Sequence, residues 1–270
     1  MTAKPARVLI IAGSDSGGGA GIQADIKTVT ALGGYAMTAI TAITVQDTMG
    51  VHGVHAVPVN IIRDQIARVL GDIGADAIKT GMLVGADIVE AVTDVLRAYA
   101  KNIPTVVDPV MIAKGGARLL DDNAISAVKK KLLPLAAVVT PNASEAAALT
   151  GVEVESADDL VQAGKALLAL GAKAALVKGG HLKGDTITDA LVTKDGVQLF
   201  RSARIQTTST HGTGCTLASA LAVGLAQGFS LEDAAARARA FVQEAIRTAP
   251  GFGRGHGPLN HMHAIPRYKQ

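Results

Sequence analysis

The residues best able to do chemistry gather in Thr210-His211-Gly212-Thr213-Gly214-Cys215-Thr216, which runs directly into the small apolar stretch 217–226. A glycine-punctuated turn that opens a helix brings several unpaired backbone N–H groups and the positive end of the helix dipole to one point. That arrangement is an anion site. The only cysteine of the chain stands in the first turn of the same helix, where this field favours thiolate over thiol. Nucleophile, proton acceptor and structural plug are all open readings for it. His211, just before the turn, could contact phosphate, and reads first as a hydrogen-bonding support for the loop.

A second set of residues follows the β-rich runs. In open parallel sheets, ligands bind beyond the C-terminal ends of the strands. Runs at 8–12, 36–45, 77–79, 105–107, 137–139 and 174–177 are followed by Gly13-Ser14-Asp15, Gln46-Asp47-Thr48, Thr80-Gly81-Met82, Asp108-Pro109, Thr140-Pro141-Asn142-Ala143-Ser144-Glu145 and Lys178-Gly179-Gly180-His181. One edge thus collects acids, an amide, a lysine and glycines, a mixture suited to a charged ligand with a metal. Taken singly, each has a plainer reading. Asp108 could start a turn, Asn142 and Glu145 have the spacing of a helix cap and its third residue, and Lys178 could lie on the surface.

Some familiar anion motifs are missing. The chain has no G-x-x-x-x-G-K-[ST] loop and no G-x-S-x-G elbow. Gly19-Ala20-Gly21-Ile22-Gln23-Ala24 fits a relaxed dinucleotide pattern, with Asp47 at roughly the ~20-residue distance of a ribose ligand. These glycines begin late after the strand, however, and Asp15 would set a negative charge beside a pyrophosphate. A Rossmann-type dehydrogenase is therefore a weak reading.

These loops need elements to hold them. Helical patterns at 21–32, 59–70, 86–100, 123–132 and 157–170 alternate with the strands, with Pro58 suited to a first helical turn and Ser156 to a cap. The alternation predicts an α/β fold: βαβ units in a mainly parallel central sheet covered by helices on both faces. Residues 47–57 alternate at period two and read as a small β flap or an edge hairpin. With no carboxylate or cysteine expected beside them, His52 and His55 read as solvent-facing. Lys194-Asp195-Gly196 predicts a hairpin turn.

Composition narrows the function classes. Of 270 residues, 49% are apolar and 18% charged, with no Trp, three Tyr and four Phe, so one large aliphatic core is available. A net charge of +3 is spread along the chain, and Lys129-Lys130-Lys131 is the only run, which argues against a nucleic-acid partner. A lone cysteine excludes an internal disulfide and fits the cytoplasm. No apolar run approaches the ~18 residues of a membrane span, so a soluble protein with no membrane partner is expected.

The loops just described, in their order, resemble those of the hydroxymethylpyrimidine/phosphomethylpyrimidine kinases of thiamine biosynthesis, within the ribokinase-like superfamily. The resemblance covers about residues 7–262 and extends from 12–25 to Gly257-Pro258-Leu259-Asn260-His261. It implies a single-domain ribokinase-like fold between a flexible N-terminus, 1–6, and a frayed C-terminal tail, 263–270. It also implies ATP, Mg²⁺ and two successive phosphorylations, of a hydroxymethylpyrimidine and then of its monophosphate. Under that resemblance Gln46 hydrogen-bonds the aminopyrimidine edge, with Gly13, Ala20, Met82 and Asp25 around it. Asn142 and Glu145 govern Mg²⁺, Asp108 stands near metal and phosphates, and Lys178 stands near the nucleotide. The N–H groups of Gly212, Thr213, Gly214 and Cys215 stabilise the transferring group, and Cys215 is the proton acceptor. A homodimer is the implied assembly. A pyridoxal kinase of the same superfamily and a non-catalytic nucleotide- or thiamine-precursor-binding regulator are the competing readings.

Overall fold

A computed structural model describes residues 4–111 and 120–266. Its strands are β1 (Arg7–Asp15), β2 (Tyr35–Gln46), β3 (Val51–Ala56), β4 (Ala77–Thr80), β5 (Thr105–Val107), β6 (Val138–Val139), β7 (Ala174–Val177), β8 (Thr186–Thr193) and β9 (Gly196–Ala203). They form one sheet in the order β3-β2-β1-β4-β5-β6-β7-β8-β9. The pairs from β2 through β7 are parallel, while β3, β8 and β9 run antiparallel to their neighbours. The parallel centre and the 194–196 hairpin turn are as the alternation predicts, and the hairpin strands are longer than the runs that suggested them.

Helices cover both faces because the central strands are apolar on both. In β1, Leu9 and Ile11 join one core cluster, and Val8 and Ile10 join the other. The first cluster is closed by α2 (Val59–Asp72), α3 (Ala86–Tyr99), α4 (Asp122–Ala127), α5 (Ala143–Thr150) and α6 (Ala157–Ala169). The second is closed by α1 (Gly21–Ala31), α7 (Thr213–Ala226) and α8 (Leu231–Arg247). Every residue of α7 from Thr216 to Gly224 is buried, as its uniformly small, apolar sequence requires.

Two elements depart from the sequence reading. The helix expected over 123–132 ends at Ala127 and continues as a π-helical turn, Val128–Leu132. Helix α8 was not foreseen. Its buried face, Ala234, Ala235, Ala238 and Ala245 around Phe241, stands against a charged outer face, an amphipathic pattern that the sequence reading did not use. The first residue of the tail expected from 263 packs on α8. His263 Nε2 lies 3.1 Å from the Phe241 carbonyl, and the two rings stack with centroids 4.5 Å apart. At the other end, Ala6 accepts a 2.8 Å bond from Tyr35 N, so the expected flexible segment 1–6 is already paired to the sheet at Ala6. Residues 1–3 and 267–270 of the two expected termini lie outside the described residues.

Candidate active site

The C-terminal ends of β1, β4, β5 and β7 and the start of α7 enclose one cavity of about 360 Å³. At its centre Gly212 adopts φ +80 as the residue before α7, and a Cβ there would collide with the carbonyl oxygen of Gly19. Only glycine lets this loop cross the 16–20 segment so closely. Thr216 N returns to Gly212 O at 2.9 Å. The N–H groups of Gly214 and Cys215 precede any intrahelical acceptor, and both residues line the cavity at the positive end of the helix. These are the N–H groups at which the sequence reading expects an anion.

Beneath this loop lies a charged pair. Lys178 Nζ is 3.3 Å from Asp108 Oδ1, which also accepts a 3.3 Å bond from Thr140 Oγ1. A Cβ on Gly214 would sit 3.1 Å from Lys178 Nζ and 3.6 Å from Asp108 Oδ2, so the loop backbone rests directly on the pair. Burial opposes the Lys178 charge, but Asp108 and Glu145 hold its pKa above the ordinary lysine range.

Glu145 is both a cap and a site residue. Asn142 Oδ1 accepts from Glu145 N at 2.9 Å, and Glu145 Oε2 accepts from Asn142 N at 2.8 Å, a complete capping box at the start of α5. The same carboxyl lines the cavity. Burial raises its pKa to about 7 against the pull of Lys178, and Asp108 adds to the rise.

The other end of the cavity carries Gln46. Thr44 Oγ1 donates to Gln46 Oε1 at 3.2 Å, and Gln46 Nε2 lies 3.3 Å from His211 Nε2. That imidazole nitrogen also lies 2.8 Å from Asp15 Oδ2. It cannot both donate to Asp15 and accept from Gln46, and the shorter contact to a carboxylate takes the proton. The Gln46 amide N–H is thus left for the cavity. Gly13, Ala20 and Met82 line the same end.

Asp15 was not foreseen as a site residue. Its carboxylate accepts from Gly17 N at 2.8 Å, Gly19 N at 3.0 Å and Ala20 N at 2.8 Å. Burial works against its charge, but the His211 and backbone bonds hold its pKa below the usual range. Asp15 therefore shapes the glycine segment and ties it to His211, which supports the loop as expected.

Three sequence expectations need correction. Asp25 does not line the cavity. It is fully buried below it, bonded to Lys79 Nζ at 3.0 and 2.9 Å and to Ser219 Oγ at 2.7 Å. Cys215 lines the cavity, but its helix-start position does not make it acidic: burial pushes the thiol up to about 12, with Lys79 opposing. In the flap, His52 is not without a carboxylate. Its Nε2 lies 3.1 Å from Asp47 Oδ1, and with both side chains 56% exposed His52 does face solvent as expected.

The far end of the cavity is an apolar slot between Ile187, Ala203 and Ile205 on the sheet side and Val242 and Ile246 of α8. Arg239 Nε reaches Asp189 Oδ2 at 2.7 Å, and Asp189 Oδ1 accepts from Gly179 N at 2.8 Å, which braces the strand end that carries Lys178. None of these residues was anticipated, because α8 and the outer half of the hairpin were not.

The sequence profile described as Phosphomethylpyrimidine kinase matches residues 15–260. The chain belongs to that family. It is 50% identical over 255 residues to the thiamine biosynthesis bifunctional protein ThiED of Geobacter sulfurreducens, covering 94% of this chain but only 52% of that longer protein. It is 48% identical over 261 residues to the hydroxymethylpyrimidine/phosphomethylpyrimidine kinase of Streptomyces coelicolor, covering 97% of this chain and 96% of that one. Among solved structures, the ADP complex of Bacillus subtilis pyridoxal kinase superposes with a TM-score of 0.89 at 36% identity, over 96% of this chain and 98% of the other. The fold is thus that of the ribokinase-like kinases. Within this phosphomethylpyrimidine kinase family member, Gln46, Gly13, Ala20, Met82, Asp108, Asn142, Glu145, Lys178 and the 212–215 loop share one cavity, and of the expected set only Asp25 lies outside it.

Proposed function

We propose that this chain is a kinase that uses ATP and Mg²⁺ to phosphorylate 4-amino-5-hydroxymethyl-2-methylpyrimidine and then its monophosphate, on the route to thiamine diphosphate. One observation carries this reading. A single cavity joins the Gln46 amide to an apolar slot, with the start of α7 between them. The names of its relatives in thiamine biosynthesis support it.

In this reading the base of ATP packs between Ile187, Val242 and Ile246, and Lys178 meets the phosphates. The Gln46 amide offers a donor and an acceptor to the amino group and ring nitrogen of the pyrimidine. Gly13, Ala20 and Met82 form the walls. The substrate oxygen attacks the γ-phosphorus while the Cys215 thiolate takes the hydroxyl proton. The new O–P bond forms, the bridging P–O bond breaks, ADP leaves, and the thiol then returns its proton to solvent. Charge on the transferring group is met by the N–H groups of Gly212, Thr213, Gly214 and Cys215, which need no reorganisation.

Among the described residues, no three His, Cys, Asp or Glu side chains gather into a metal cage. Two carboxylates at the cavity edge suit a cation that keeps water and phosphate oxygens as most of its ligands. Asp108 and Glu145 would hold Mg²⁺ in this way, with Asn142 fixing Glu145. When bound, the ion supplies charge neutralisation on the phosphates.

A homodimer in the cytoplasm completes the proposal. Ile43 and Val45 share one face of β2 beside the flap and are 53% and 65% exposed, which offers an apolar surface for a second copy. Among the described residues no helix is long and apolar enough to cross a membrane. The pyridoxal kinase reading keeps one specific support, the 0.89 superposition on a pyridoxal kinase. The test is incubation with ATP, Mg²⁺ and the hydroxymethylpyrimidine, with mass detection over time. The monophosphate is expected first and the diphosphate after it; absence of both overturns the proposal.

A further inference from the structure

Beneath the cavity floor lies a charged group that the reaction as described does not use. Lys79 sits in the short strand β4, between residues that belong to the apolar core, and its side chain is 0% exposed. Two ammonium contacts go to the two oxygens of Asp25, at 3.0 and 2.9 Å. Asp25 is in turn fixed by Ser219 Oγ at 2.7 Å. An ammonium carries three donors. No acceptor for the third is found among the described residues, and Lys79 lines the cavity itself.

Position on α7 connects this group to the thiol. Cys215 and Ser219 are four residues apart and so occupy one helix face, one turn from each other. Ser219 touches Asp25, and Cys215, one turn before it on that face, lines the cavity as Lys79 does. A buried pair of this kind is weak evidence of stabilisation, since apolar residues of similar volume commonly do as well. Its retention is better explained by what it faces. Around the sulfur are Lys79 from β4, Asp25 from α1, Asp108 beyond β5 and Lys178 beyond β7. Burial opposes the Lys79 charge, but Asp25, Cys215 and Asp108 hold its pKa above the ordinary lysine range.

We propose that Lys79 is a positioning residue for Cys215: its unclaimed N–H, aimed by Asp25 and Ser219, supplies the positive hydrogen-bond donor against which the thiolate forms. This rests on the reading of Cys215 as proton acceptor; Lys79 is the cation that works against the burial of the sulfur, together with a backbone bond from Gly21. Asp25 sets how much of the ammonium charge the sulfur feels. The family resemblance placed Asp25 at the substrate; here it acts through Lys79.

The chain has a single cysteine, so alkylation by iodoacetamide reports this thiol alone. Its rate, followed by intact mass across pH 7 to 11, tracks the thiolate fraction. Lys79→Met is expected to move the profile to higher pH by about one unit, a roughly tenfold slower reaction at fixed pH. Asp25→Asn unpairs the ammonium and is expected to move it the opposite way by a similar amount. The double variant Asp25→Asn/Lys79→Met removes both charges without stranding either one, and should follow Lys79→Met even where the single variant folds poorly. Opposite shifts support the proposal. Unchanged profiles, or shifts of the same sign in Lys79→Met and Asp25→Asn, overturn it. Alkylation does not require Cys215 to be the base, so failure here is distinct from retained turnover in Cys215→Ala, which would overturn the catalytic reading.

Discussion

Two buried lysine–aspartate pairs flank the start of α7, and they are built to different standards. Lys79 and Asp25 are 0% exposed, doubly bonded and supported by Ser219. Lys178 and Asp108 meet once, at 3.3 Å, with the lysine side chain 15% exposed and Glu145 held nearby as a third charge. The first pair is held by protein groups on every side, with one ammonium N–H left over among the described residues. The second is arranged around something it has yet to hold. A pair closed on itself serves the framework and its neighbours, whereas a loose pair with surplus carboxylate serves a guest carrying charge of its own.

The largest effect should fall between the two pairs. Cys215→Ala is expected to lower kcat by about 10³-fold while leaving ADP affinity by calorimetry and the melting temperature near those of the parent. Wild-type kcat across the pH range would remove Cys215 from the reaction.

Disrupting each pair should then have opposite consequences. Asp108→Asn is expected to reduce kcat/KM by about 10²-fold with little change in urea midpoint. Asp25→Ala leaves a buried ammonium without its partner and should cost about 3–5 kcal/mol of unfolding free energy. Equal stability losses in the two variants would erase the distinction.

At the acceptor end, Gln46→Met should raise KM for the pyrimidine by about tenfold with KM for ATP unchanged, because it removes one bidentate hydrogen-bonding group. Equal changes for both ligands would place Gln46 elsewhere in the reaction.

The smallest effect concerns Glu145. Its folded carboxyl titrates near about 7 and its unfolded one near 4.5, so between these values the folded state binds more protons. Stability therefore declines as pH rises through that window and is flat above it. Glu145→Gln, which cannot ionise, should raise the melting temperature at pH 8 by about 2–4 °C and flatten its pH dependence while lowering turnover. A melting curve that loses stability on acidification through the same window would contradict the assignment.

The looser pair was legible in the sequence and the closed one was not. Asp108, Asn142, Glu145 and Lys178 follow strands directly, so strand order alone brings them to one edge. Glu145 is the cap that its spacing suggested, and the same capping box that fixes α5 holds its carboxyl at the cavity. Lys79 and Asp25 lie 54 positions apart, and Asp15 and His211 lie 196 apart. Neither pairing leaves a local trace. Cys215 shows the same limit from another side. Its place at a helix start could be read from spacing, which argued for an acidic thiol, but burial, which dominates, is a property of the packed fold. The apolar slot was missed because α8, which supplies Val242 and Ile246, was not read from the sequence.

The account's central claim is that this cavity transfers the γ-phosphoryl group of ATP to an aminopyrimidine. The most direct measurement is a competition with equimolar hydroxymethylpyrimidine and pyridoxal, ATP and Mg²⁺ in one tube, read by mass for each phosphorylated product. The account predicts that pyrimidine phosphates accumulate at least about tenfold faster than pyridoxal phosphate, with the preference lost in Gln46→Met. Faster phosphorylation of pyridoxal, or a preference unaffected by Gln46→Met, would contradict it.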